Sequence, residues 1–233
     1  MLPLNLYLII ASVFIGLFLI FLFKDRSELL KVMLIILTFY LARIFFGLEW
    51  RIVTGGLCNV IVTWQFYKLL AENFVILSLV FMIGSGLILK RSFTELGWIK
   101  EQVFRNILLG LFIGLIFFFL LTGVNPIKWH KLPAAIFFSF FIASWQEENI
   151  FRGYLVNYLG KRFNQVETTI YQALIYSFAH IGFYDFYPLS NLIFSVVFAF
   201  ILGLIFGYLR LKTKSQIPAF MTHAIIDVAL FLR

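Results

Sequence analysis

Long apolar runs dominate this sequence and decide what it can fold into. Hydrophobic residues make up 62% of the chain and charged residues only 13%. A soluble domain needs more polar surface than that to cover its core. The apolar runs are instead close to the length of helix that crosses about 30 Å of hydrocarbon. We therefore predict an integral membrane protein.

The predicted fold class is an all-α membrane bundle of about eight transmembrane helices, because chain in lipid must satisfy its own backbone hydrogen bonds. The predicted spans cover residues 3–23, 30–47, 73–89, 107–124, 132–160, 167–184, 189–210 and 217–231. Segment 52–70 stays open, since its glycines, Asn59 and Gln65 suit either a poor span or a re-entrant or interfacial piece. Segment 90–106 is basic and amphipathic, which is typical of a loop on the cytoplasmic membrane surface.

Two features argue against a secreted, disulfide-bonded scaffold. The first apolar run has no basic segment before it and no small-residue cleavage site, so we interpret it as a retained helix. The single cysteine, Cys58, leaves no intrachain disulfide and no metal site built from cysteines.

The net charge of +8 is distributed as in a membrane protein, not as in a nucleic-acid-binding one. Lys and Arg form short clusters between the apolar runs. The clusters are Lys24, Arg26 and Lys31; Lys90, Arg91, Lys100 and Arg105; Lys161 and Arg162; and Arg210, Lys212 and Lys214. Cytoplasmic loops carry such an excess of basic residues. We therefore place these loops in the cytoplasm and the N-terminus outside, and expect no nucleic-acid partner.

Ionisable residues inside the C-terminal spans are the strongest indication of function, because each such charge costs a few kcal/mol in a bilayer. Span 132–160 contains Glu147, Glu148 and Arg152. Glu148 and Arg152 have the i, i+4 spacing of a helical ion pair, with the acid first as that pair prefers. Glu147 points about 100° away around the helix and has no partner within it. The alternative is a purely structural salt-bridge cluster of all three.

Two other spans bring further ionisable groups to a similar depth. His180 lies in span 167–184, and His223 and Asp227 share one face of the last span. A single histidine in a membrane is more often a hydrogen-bonding group between helices than a catalyst. Because three helices contribute at overlapping depth, we predict one shared functional site.

These residue types permit three chemistries. A glutamate can act as general base on water while histidine stabilises the oxyanion formed on a peptide carbonyl. Alternatively, Glu147, His180, His223 and Asp227 can bind a divalent metal such as zinc, which activates the water. A third possibility is the proton relay of a transporter. The zincin motif H-E-x-x-H and an aspartyl-type G-x-G-D are absent, and the small neighbours of Ser85 favour helix packing.

Three motifs together resemble the CAAX protease and bacteriocin-processing family of membrane proteases. They are EENIFR at 147–152, YSFAH at 176–180 and HAIID at 223–227, in the order in which the family has them. The resemblance covers roughly residues 132–231. We therefore divide the chain into an N-terminal region, 1–131, without a recognised motif, and a CAAX-protease-like catalytic region, 132–233.

The resemblance also implies roles for these residues. Glu147 would activate water, with Glu148 and Arg152 supporting it. His180 and His223 would orient the water or stabilise the tetrahedral intermediate.

The sequence departs from the family at two of these positions. Tyr176 stands where the family commonly has Phe. Asp227 stands where the CAAX-cleaving branch has Asn, which replaces a possible donor by an acceptor or a metal ligand. The role of position 227 is therefore open at this stage.

The resemblance implies a membrane endopeptidase, of glutamate type or metal-dependent, that hydrolyses a peptide bond in a membrane-associated peptide or protein tail. We expect it in a bacterial cell membrane, opening toward the cytoplasm, with the lipid bilayer and the substrate as partners. The main alternative is a bacteriocin self-immunity protein that binds or degrades a toxin peptide. A proton-coupled transporter is more remote.

Overall fold

The computed structural model describes residues 4–22, 27–39, 91–123, 127–180 and 189–232. Within these ranges all regular structure is helical, in agreement with the predicted all-α class. The helices are α1 (Leu4–Leu22), α2 (28–39), α3 (Val103–Thr122), α4 (132–159), α5 (Gln165–Phe178), α6 (Leu189–Thr213) and α7 (Ile217–Leu232). The ambiguous segment 52–70, the predicted span 73–89 and Ser85 lie outside the described residues.

Two helices in the described ranges are long and apolar enough to cross a membrane, by length and composition: Val103–Thr122 and Ile193–Thr213. The last helix, Ile217–Leu232, is apolar but shorter. Helix α3 has the exposed apolar face expected of a lipid-facing helix, with Phe104, Phe112 and Phe119 all more than half exposed. The predicted number of eight spans is not confirmed by these ranges and stays a prediction.

Helix α4 is irregular along its length. It is α-helical over Leu132–Phe137, Ser144–Glu147 and Val156–Leu159, and π-helical over Phe138–Ala143 and Glu148–Leu155. Pro133 fits its first turn, where no backbone donor is needed. π-helical stretches are rare and occur frequently at functional sites. The second stretch begins at Glu148, directly at the predicted acidic pair.

The chain forms two compact units. The first comprises Met1–Lys90 and Ser177–Val197, and the second comprises Arg91–Tyr176 and Phe198–Arg233. In the first unit, α1 and α2 pack so closely at Gly16 that a side chain there would clash with Thr38. Ile20 and Ile35 are fully buried in the same unit.

In the second unit, glycines bring α3 and α7 into backbone contact. A Cβ atom at Gly110 would lie 2.7 Å from the carbonyl oxygen of Pro218, and one at Gly114 would lie 2.8 Å from Ile225 Cδ1. The hydroxyl of Thr222 donates to the carbonyl oxygen of Gly110 at 3.2 Å. Small residues permit such close approach between membrane helices. The contact fixes the position of α7 immediately beside His223.

Helices α5 and α6 pack in the same manner within the second unit. A Cβ atom at Gly203 would lie 2.9 Å from the Cα atom of Ala173. The side-chain amide of Gln172 donates to the carbonyl oxygen of Gly203. This close packing brings the buried rings of Tyr176 and Phe206 together, with centroids 6.4 Å apart.

We expect Gly110→Leu to lower the thermal unfolding midpoint in detergent, since overpacking a tight contact costs about 1–3 kcal/mol or more. Phe112→Leu is the control, because position 112 lies on the exposed face of the same helix. Circular dichroism would follow the unfolding. An unchanged midpoint for Gly110→Leu would contradict the close contact between α3 and α7.

Candidate active site

His223 on α7 lies between the two glutamates of α4. Its Nδ1 atom is 2.9 Å from Glu148 Oε1, and its Nε2 atom is 3.7 Å from Glu147 Oε2. All three side chains are buried. The adjacent glutamates therefore approach different nitrogens of one imidazole ring, and Glu147 has its partner on another helix.

The Nε2 side of His223 is surrounded by oxygen atoms. Asp227 Oδ2 and the Tyr176 hydroxyl each lie 3.5 Å from Nε2, close to the distance of Glu147. These separations are at or beyond the outer limit of a direct hydrogen bond. Asp227 is 21% exposed, whereas Glu147 and His223 are almost inaccessible. The cluster is therefore accessible at Asp227.

Arg152 holds Glu148 in place from the same helix. Arg152 Nη1 lies 3.2 Å from Glu148 Oε1, and both side chains are fully buried. The predicted i, i+4 pair is thus confirmed. The guanidinium carbon also lies 4.2 Å from the centroid of the Tyr176 ring and 4.9 Å from that of Phe206. Cation–π attraction of this kind offsets part of the cost of burying the charge.

The contacts of Glu148 define the orientation of His223. Glu148 Oε1 faces both Arg152 and His223 Nδ1. Since an ionised carboxylate only accepts hydrogen bonds, Nδ1 donates its proton to Glu148. Nε2 is then directed to the side where Glu147, Asp227 and Tyr176 converge. When a carboxylate accepts a hydrogen bond from one ring nitrogen of a histidine, it also fixes the tautomer and the direction of the other nitrogen.

Comparison with known proteins gives one match, to a protein family. Residues 128–229 match the family model described as type II CAAX prenyl endopeptidase Rce1-like. The match confirms the resemblance to the CAAX protease family. No curated protein and no solved structure matches the chain. Together with the two long apolar helices, the match supports an integral membrane protein whose region 128–229 is similar to intramembrane proteases.

One histidine of the CAAX protease motifs falls in the other compact unit. His180 is half-buried in a turn directly after α5, and its backbone amide donates to the carbonyl oxygen of Ser177 at 3.0 Å. Its participation in the site formed around His223 stays a prediction from the sequence.

Phe206 is a site residue that the CAAX protease motifs did not reveal. Its ring stacks on His223 with centroids 5.0 Å apart and planes inclined by 24°. It also lies under Arg152. In a chain with 31 phenylalanines, the residue type carries no signal that separates a site residue from a lipid-facing one.

The described ranges hold no group of three or more His, Cys, Asp or Glu residues arranged as a metal site. Of the predicted zinc ligands, Glu147, His223 and Asp227 lie in one cluster. The zinc site itself stays a prediction from the sequence.

We expect Arg152→Met to destabilise the protein by about 3–5 kcal/mol, because it leaves Glu148 buried without its counter-charge. Exposed Arg105→Met is the matched control. The double variant Glu148→Gln, Arg152→Met should regain part of the loss, since no uncompensated charge then remains. Thermal unfolding in detergent would compare the midpoints of the wild type, the two single variants and the double variant. A wild-type midpoint for Arg152→Met would show that the pair contributes nothing to stability.

Proposed function

We propose that the protein is an intramembrane endopeptidase in which Glu147 activates the attacking water. The observation that carries this proposal is the convergence of Glu147, Asp227 and Tyr176 on His223 Nε2 at 3.5–3.7 Å. Polar groups that converge in this way can hold a water molecule beside them. Glu148 is engaged with Arg152 and Nδ1, so Glu147 and Asp227 are the carboxylates that face Nε2. The family resemblance assigns the role of the base to Glu147.

In the proposed reaction, Glu147 takes a proton from water as the water oxygen bonds to the scissile carbonyl carbon. The carbonyl oxygen becomes an oxyanion, which Tyr176 can stabilise as a hydrogen-bond donor; His223 can donate from Nε2 as well when both of its ring nitrogens carry a proton. The proton then passes from Glu147 to the leaving amine as the C–N bond breaks. The family resemblance adds His180 as an assisting group.

Burial of the site supports this chemistry. Hydrogen bonds and charges act more strongly in a water-poor surrounding than in bulk solvent. The partial exposure of Asp227 leaves one side by which a peptide can enter. Because the matching family is named for prenyl endopeptidases, we propose a prenylated C-terminal tail as the first substrate to test.

The self-immunity and transporter alternatives remain predictions from the sequence. The location in a bacterial cell membrane and the opening of the site toward the cytoplasm also stay predictions from the sequence. No observation in the described residues favours either alternative over the endopeptidase.

The function can be tested with internally quenched peptides in which a farnesylated cysteine is the fourth residue from the C-terminus, followed by three residues. The same peptides without the lipid serve as the comparison. In nanodiscs, we expect Glu147→Gln to lower cleavage by about 100-fold or more, as for loss of a general base. Exposed Glu101→Gln is the matched control and should cleave at the wild-type rate. Cleavage by Glu147→Gln at the wild-type rate would exclude this residue as the base.

Asp227→Asn separates the two proposed mechanisms. In the glutamate-based mechanism the amide keeps the size of the side chain, so we expect activity to persist. Bound metal would be measured by mass spectrometry alongside cleavage. If the substitution removes both cleavage and a stoichiometric metal ion, the enzyme is metal-dependent and the glutamate mechanism is wrong.

A further inference from the structure

Hydrogen bonds hold a short turn before α3 in one conformation. This segment, the Ser92–Trp98 turn, begins with a reciprocal pair: Ser92 N–H donates to Glu95 Oε2 at 2.8 Å, and Glu95 N–H donates to Ser92 Oγ at 3.2 Å. Gly97 has φ +99°, a conformation that favours glycine. The amide of Trp98 closes the turn on the carbonyl oxygen of Phe93 at 2.9 Å.

The Ser92–Trp98 turn is fastened to both helices that carry the site. The side chain of Asn157 on α4 donates to the carbonyl oxygen of Glu95. At the start of α7, the side chain of Gln216 donates to the carbonyl of Leu96, and its backbone amide donates to Gly97 at 2.8 Å. Leu96 itself is buried. The sequence predicted a loop on the membrane surface, but Leu96 and Trp98 of this segment pack on protein.

Trp98 connects this turn to the π-helical part of α4. Its indole N–H donates to Asn149 Oδ1 at 2.8 Å, and its ring lies 4.7 Å from that of Trp145 and 5.5 Å from that of Phe220. Asn149 is almost completely buried and directly follows Glu147 and Glu148 in sequence.

Asn149 in turn supports the backbone of α4. Its side-chain amide donates to the carbonyl oxygen of Trp145 at 2.7 Å. An indole can only donate and a carbonyl can only accept, so these two partners fix the orientation of the amide. The hydrogen bond spans the helical turn that contains Glu147 and Glu148.

We propose that Trp98 and Asn149 are positioning residues that hold this turn of α4 so that its glutamates meet His223. The 2.9 Å contact between Glu148 and His223 tolerates little displacement, since productive geometry is held within about 0.5 Å. Trp98 acts through Asn149, and Asn149 acts through the backbone of the Trp145–Glu148 turn. This inference can be tested by kinetics and by spectroscopy. The kinetic test rests on the proposed endopeptidase function, whereas the spectroscopic test does not.

The test uses two single substitutions and their combination in the full-length protein. Trp98→Phe removes the indole N–H and keeps an aromatic ring, while Asn149→Leu keeps the size and removes both hydrogen bonds. Trp129→Phe is the control, because it is the same chemical change at an exposed position. With the farnesylated peptide, we expect each single variant to lower kcat about tenfold or more with little change in KM, as misplaced catalytic groups do. Trp129→Phe should match the wild type.

The double variant distinguishes positioning from a contribution to folding. Replacing both partners of a buried hydrogen bond by apolar groups is nearly neutral for stability. If the bond serves folding alone, Trp98→Phe, Asn149→Leu regains both its unfolding midpoint and its activity. We expect the midpoint to recover while kcat stays low. Recovery of kcat would overturn the proposal.

The spectroscopic test does not need a substrate. The chain has three histidines, so ¹⁵N-histidine labelling gives three imidazoles, and His223→Gln assigns the one of interest. We expect the Nδ1 proton signal of His223 to be shifted or lost in Trp98→Phe and Asn149→Leu and unchanged in Trp129→Phe. An unchanged signal in both site variants would refute the positioning role. If the wild type cleaves no peptide, the proposed function fails but this result still decides the inference.

Discussion

The arrangement of the second unit depends on one fully buried ion pair, Glu148 with Arg152. Charges without partners in such a position cost several kcal/mol each, so the pair has to be supported by further contacts. The structure supplies them as two aromatic rings against the guanidinium and an imidazole against the carboxylate. The same carboxylate oxygen that compensates Arg152 orients His223. The Oε1 atom of Glu148 therefore contributes both to stability and to the geometry of the site.

Two kinds of packing bring these groups together. Glycines let α3 approach α7 and let α6 approach α5 at backbone distance. Polar side chains then bind backbone carbonyls across the helices, as Thr222 and Gln172 do. In a membrane, where apolar side chains gain little by leaving lipid, such close contacts and hydrogen bonds are the main source of helix association.

Much of the helical arrangement follows from hydropathy. The predicted spans 132–160, 189–210 and 217–231 lie within a few residues of α4, α6 and α7, because long apolar runs leave few alternatives. The i, i+4 pairs of Arg152 and Asp227 follow equally directly from helical geometry. The π-helical stretches do not follow from it. Hydropathy carries no information on whether a backbone amide bonds to the carbonyl four or five residues earlier. Trp98 and Asn149 were missed because their contact joins residues 51 positions apart, which hydropathy does not bring together.

The contact between α3 and α7 also places the site beside a helix with an exposed apolar face. Thr222 binds the exposed helix α3, and the next residue, His223, faces the glutamates. The ionisable cluster therefore lies on the α7 side of α3, whose exposed apolar face is the one expected to meet the bilayer. A lipid-modified peptide is already concentrated in that bilayer and searches it in two dimensions. For the proposed reaction, the membrane is thus the reservoir from which substrate is drawn.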